Sequence, residues 1–182
     1  MQVNTYFLLI FAFFRGIALK REQQALIQLP VGQDANGQRV LEKLAVYVLE
    51  QPDHYELQQS PLFARGLAKG DIFHVDQQHP DRITVIKHSG NLALRVFRKT
   101  DIEILESNLT PQVEMHEGTL DIKTERGLSY SLHVNLGFAA VEALFDNAMA
   151  AYPDSVWYYG NVYDPVDGVT PLNWWDSFIN QV

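Results

Sequence analysis

Alternation of apolar and polar positions is clearest in the middle of the chain. Leu44 to Leu49 reads LAVYVL and predicts a strand. Gln51-Pro52-Asp53-His54 turns the chain, and Tyr55 to Leu57 returns as a short strand. Pro61, Gly66 and Gly70 then punctuate residues 60–70, which read as a structured loop. From Asp71 to Val75 a strand begins, with Phe73 and Val75 on one face and His74 and Asp76 on the other. A polar connection carrying Pro80 leads to a strand over Ile83, Val85 and Ile86. Ser89-Gly90-Asn91 turns again, and Leu92, Leu94 and Val96 alternate along the next strand. Sequential strands joined by short turns predict an antiparallel meander or half-barrel. Before it, Leu29 to Gln38 is rich in turn formers and reads as a linker.

Past Lys99 the period changes. Thr100 or Asp101 is placed to cap a short helix, Ile102 to Asn108, with Pro111 beyond its end. Val113 to Glu117 reads as a strand, and LDIKTER, between Gly118 and Gly127, as a hairpin arm. Leu128, Tyr130, Leu132, Val134 and Leu136 fall on one face of a strand, with Ser129, Ser131, His133 and Asn135 on the other. Phe138 to Tyr152 repeats its apolar residues at three and four, which predicts a helix that Pro153 ends. Val156 to Val162 is β-rich. Counted from Leu92, the order is strand, helix, strand, strand, helix, strand, the ferredoxin-like plan. The expected fold class is therefore α+β: an antiparallel β half followed by a ferredoxin-like half. The expected units are residues 1–40 (apolar segment and linker), 41–99 (β), 100–163 (ferredoxin-like, sharing strand 91–98) and a tail, 164–182.

The spacing P-x-F-A-x-G-x-x-x-G-D, followed by S-G-N-x-x-x-R, is carried by Pro61, Phe63, Ala64, Gly66, Gly70, Asp71, Ser89, Gly90, Asn91 and Arg95. In these residues the chain resembles the bacterial family catalogued as domain of unknown function 4265, over about residues 44–163. The resemblance implies a closing strand–helix–strand unit with an aromatic strand, matched by Trp157, Tyr158 and Tyr163. It carries no activity.

Charge changes the functional picture. Residues 1–21 have three bases and no acid, residues 22–100 balance nine against nine, and residues 101–182 set thirteen acids against Lys123 and Arg126. The last segment therefore holds −11 of a chain whose net is −8. Such a surface repels phosphate backbones, so nucleic acid is not an expected partner, whereas a basic protein is. With no cysteine there is no disulfide or thiolate metal site, which fits a cytoplasmic location. Thr5 to Phe14 is an apolar run of ten residues, short of the about 20 that span a bilayer. A core or interface helix, a membrane-touching anchor and an extension upstream of the domain stay open for it.

Chemistry-bearing patterns are sparse. His74, Asp76 and His79 lack a third or fourth ligand at metal spacing, so no metal is expected. Glu103 with Glu106, and Glu114 with Glu117, are carboxylate pairs without a reason for desolvation. There is no phosphate-binding glycine motif or nucleophile elbow, and no cofactor is expected. The tail combines Trp174, Trp175 and Phe178 with Asp164, Asp167 and Asp176; the aromatic residues read as docking the tail onto the core or, alternatively, as anchors for a partner inside a polar rim. The leading expectation is a non-enzymatic module, immunity- or antitoxin-like, that occludes a basic toxin domain through this acidic half. The alternative is a hydrolase-like site of Asp71, His88 and Arg95 around the Ser89-Gly90-Asn91 turn. A third is self-association through the tail or the apolar N-terminus, and the oligomeric state stays open.

Overall fold

A computed structural model describes residues 21–80 and 82–179; the apolar run Thr5 to Phe14 lies outside them. Strands β1 (Arg21–Gln33) and β2 (Arg39–Leu49) form a long antiparallel hairpin. Its turn is made by Asp34, whose Oδ1 accepts the N–H groups of Asn36 and Gln38, both at 2.8 Å. The linker expected over Leu29 to Gln38 is thus only the turn at residues 34–38; Leu29 is a buried core residue of β1. Pro30 made this strand hard to recognise. It is tolerated because β1 is an edge strand whose register shifts between Pro30 and Gly32.

The meander continues through β3 (His54–Leu57), β4 (Ile72–Val75) and β5 (Ile83–Lys87), giving the order β1-β2-β3-β4-β5. Leu44, Val46, Phe73 and Val75 form its apolar face. Ala64 and Leu67, from the loop between β3 and β4, pack into that face. The loop is therefore part of the core of this half.

The second sheet is built from β6 (Asn91–Arg98), β7 (Thr119–Lys123), β8 (Gly127–His133) and β9 (Ser155–Tyr159), with α1 (Ile102–Met115) and α2 (Phe138–Ala150) between them. Its order is β7-β8-β6-β9, with antiparallel neighbours, the ferredoxin-like arrangement. Leu92, Leu94 and Val96 of β6 join Leu128, Tyr130 and Leu132 of β8 on the helix side. Ile102, Leu105, Leu109 and Val113 of α1 recur at three and four and close over them.

That stripe overrides the expected helix stop. Pro111 lies inside α1, exposed, and Val113 to Met115 are helical where a strand was expected. Proline removes one helix hydrogen bond at a solvent-facing position, while Leu109 and Val113 continue the buried face. The strand expected to reach Leu136 stops at His133, and Val134–Leu136 is a single 3-10 turn. The tail helix is also shorter than its pattern implied: α3 is Asp176–Ile179, because Asn173 takes a left-handed φ of 55°. Among the described residues no helix is long and apolar enough to cross a membrane.

Candidate functional site

Ala93, Arg95, Ser129 and Ser131 alternate with the apolar residues of β6 and β8, so they face away from the helices. All four are buried. What covers them is the loop after β3. Ser60 and Ser131 share a hydrogen bond of 2.7 Å, and Ser129 Oγ donates to the Pro61 carbonyl. Asp121 of β7 accepts the Ser60 N–H and the Ser131 hydroxyl.

Two opposite charges hold the loop's backbone. The Glu42 carboxylate accepts the N–H groups of Leu62, Phe63 and Ala64, at 2.7, 3.1 and 2.6 Å. From the other side Arg95 donates to the carbonyls of Pro61 and Phe63, each at 3.1 Å, and of Ala64. Burial holds the Arg95 guanidinium below its ordinary pKa. Gly160 is required beside it, since a Cβ there would lie 2.7 Å from Arg95 Nε.

The rest of the motif serves the same purpose. Asp71 is fully buried and accepts the N–H groups of Ala68 and Ser89, at 2.9 and 2.8 Å. Ser89 Oγ and Asn91 Nδ2 both donate to the Lys69 carbonyl. Gly70 has a φ of 83°, and a Cβ there would meet the Ser89 Cβ at 2.9 Å. Pro61, Phe63, Gly66, Gly70, Asp71, Ser89, Gly90, Asn91 and Arg95 thus belong to one loop-to-sheet junction. Glu42 and Asp121 complete it, and neither has a local sequence signal.

Of the hydrolase-like candidates, Asp71 and His88 are brought together and Arg95 is committed to the loop carbonyls. His88 Nδ1 lies 3.4 Å from Asp71 Oδ2. The imidazole stacks on Trp174 at 4.7 Å, with 20° between the rings. His74 instead neighbours the His54 ring at 5.1 Å. Asp76 accepts the N–H groups of Gln78 and His79, and the Gln78 bond leads in lowering its pKa. No metal-ready group of three such residues occurs among the described residues.

The tail folds back onto the second sheet. Trp174 Nε1 donates to the Asn161 carbonyl at 2.7 Å. Trp175 packs edge-on to Phe138, and Phe178 packs on His133. Gly90 admits Phe178, because a Cβ at residue 90 would lie 2.9 Å from its ring. The aromatic residues therefore dock the tail. Asp164 accepts the Val166 N–H, and Asp167 accepts Val169 N–H, Thr170 N–H and the Thr170 hydroxyl. These bonds, the Thr170 hydroxyl first, hold the Asp167 pKa down. Asp176 stays exposed at the start of α3.

Beside the docked tail lies a cleft of about 680 Å³ walled by Trp157, Tyr158, Tyr159 and Tyr163. Glu142, Asp146 and Asp164 bring three carboxylates to it, and Arg65 and Arg95 also line it. Asp146 accepts the Trp157 indole N–H at 2.7 Å. The Tyr159 hydroxyl is buried, with no partner within hydrogen-bond geometry among the described residues. Burial, and then the Glu142 charge, push its pKa up. Glu142 and Asp146 stand four apart on one face of α2, a spacing that could have drawn notice.

Fold and junction together define a two-sheet α+β protein whose ferredoxin-like half anchors a buried loop. The chain belongs to the family described as Domain of unknown function (DUF4265), which matches residues 42–152, more than half of its length. The match begins at Glu42, the carboxylate that holds the loop. Among solved structures the chain is similar to a hypothetical protein from Neisseria gonorrhoeae, at 18% identity and a TM-score of 0.57, over 78% of this chain and 96% of that one. At that identity the likeness concerns the fold alone. No curated protein matches.

Proposed function

We propose that this protein is a non-enzymatic binding module that covers a basic region of a protein partner, as an immunity or antitoxin protein covers a toxin domain. The observation that carries the reading is the acidic aromatic cleft. Its four aromatic rings and three carboxylates, which outnumber the lining Arg65 and Arg95, support its reading as a receptor for an arginine or lysine side chain. Ring faces attract a cation, and carboxylates complete its neutralisation as water leaves. The surrounding C-terminal half, at −11, would accelerate encounter with a basic surface.

On this reading the contact lies on α2 and β9 more than on the tail aromatics, which are engaged with the core. Glu142 is the carboxylate to test, since it is exposed, whereas Asp146, Asp164 and Asp167 hold the Trp157 indole, the Val166 amide and the Val169 amide. The experiment captures partners from a bacterial extract with the full chain, identifies them by mass, and measures association of the purified partner with wild type and Glu142→Lys. A basic partner is expected, with association slowed about ten-fold by the reversal at low salt and less at high salt. An unchanged association rate at low salt would overturn the reading.

A further inference from the structure

A second cavity, of about 500 Å³, opens on the other side of Arg65 and Pro165. Three parts of the chain wall it: the two edge strands of the first sheet, the loop held by Glu42 and Arg95, and the docked tail. Val31 comes from β1, Ile83 and Val85 from β5, and Leu172 and Trp174 from the tail. These walls are apolar, and the volume lies within the range of small-molecule sites. Among the described residues, only Arg65 and His88 of its lining can carry charge, and no carboxylate lines it. In a chain of net −8 this is a local inversion, the opposite of the cleft beside it.

Both groups are available to a ligand. Arg65 is exposed, makes no ion pair among the described residues, and has a single long hydrogen bond, 3.5 Å, to the Pro165 carbonyl. His88 is held from two sides. Asp71, fixed by backbone N–H groups, faces its Nδ1, and Trp174 lies flat against its ring. With Nδ1 turned to a carboxylate, Nε2 remains to meet a second acceptor in the cavity. That geometry requires the tail to be docked, because Trp174 is both a wall of the cavity and the support of His88.

We propose that this cavity binds a small organic acid, its carboxylate met by Arg65 and His88 and its hydrocarbon body lying against Val31, Ile83, Val85 and Leu172. The test uses the full chain and three probes of equal length: octanoate, octan-1-ol and octylammonium. Calorimetry and amide chemical shifts of the wild type are read first, so that the decisive comparison needs no variant. Octanoate is expected to bind at one site and to shift residues around His88 and Val85, with the alcohol and the ammonium at least ten-fold weaker. Arg65→Gln and His88→Gln should each weaken octanoate, Arg65→Gln by ten-fold or more, while Glu142→Lys leaves it unchanged. No binding of octanoate, equal binding of the alcohol, or full affinity in both Arg65→Gln and His88→Gln would overturn the assignment.

Discussion

The two faces of the second sheet are closed by different physics. On one, Leu92, Leu94, Val96, Leu128 and Leu132 meet the apolar stripes of α1 and α2. Burial there is non-directional and scales with area removed from water. On the other, Arg95, Ser129 and Ser131 meet a loop whose amides are matched one by one, by Glu42, Asp71 and Asp121 as well as Arg95. The first face asks only for volume and should accept exchanges that preserve it. The second asks for particular atoms, since each lost partner leaves a buried amide unsatisfied. The loop held on the polar face also carries Arg65, which lines both cavities.

The largest expected effect follows from Arg95. Arg95→Leu keeps bulk but strips three buried carbonyls of their donor and leaves Glu42 without its opposite charge across the loop. Removing one member of such an arrangement costs roughly 3–5 kcal/mol, read as a fall in the urea midpoint. Arg95→Lys should recover little, because an ammonium lacks the planar fork that reaches several carbonyls at once. A loss below about 1 kcal/mol in Arg95→Leu would erase the contrast between the faces.

A matched pair sharpens it. On the helix side, Leu105→Met changes shape but nearly conserves volume and should cost under about 1.5 kcal/mol. On the loop side, Glu42→Gln is closer still in shape, yet it turns an amide nitrogen toward backbone N–H groups that need an acceptor. Its expected cost is about 1–3 kcal/mol. Equilibrium unfolding of both variants decides the matter, and a costlier Leu105→Met would reverse the reading.

The same division explains what the sequence disclosed. Apolar alternation at Leu92, Leu94 and Val96, and spacings of three and four around Phe138, reveal strands and helices because those patterns are local. They were enough to anticipate both antiparallel sheets and the ferredoxin-like order. Pro30 and Pro111 misled because each occupies a position where its missing N–H costs little, an edge strand and an exposed helix face, and only the tertiary structure says so. The loop junction was visible as a motif but not as a mechanism: its partners lie 20 residues away at Glu42 and 34 at Arg95. Likewise the acidic cleft joins a helix, a strand and a tail, and the docking expected of the tail's tryptophans gains its partners, Asn161, His88 and Phe138, only in the fold.

Tyr130 offers the finest test, because among the described residues it is the one phenol buried fully on the apolar face. Its hydroxyl pairs with Thr110 Oγ1 at 2.9 Å, and burial pushes its pKa well above the ordinary 10.0. The folded state thus holds this proton more tightly than the unfolded chain does. The associated stability is complete below about pH 10 and drains away as pH rises above it, where only the unfolded chain readily releases the proton. Tyr130→Phe should cost about 1 kcal/mol at neutral pH for the lost hydrogen bond. Between about pH 8 and about pH 11 its stability should then fall less steeply than that of the wild type. Tyr159 is raised by burial as well, so a residual slope should persist in the single variant and shrink when Tyr159→Phe is added. Parallel pH profiles for wild type and Tyr130→Phe would mean that water reaches this phenol, and that the helix-side face is less dry than its burial implies.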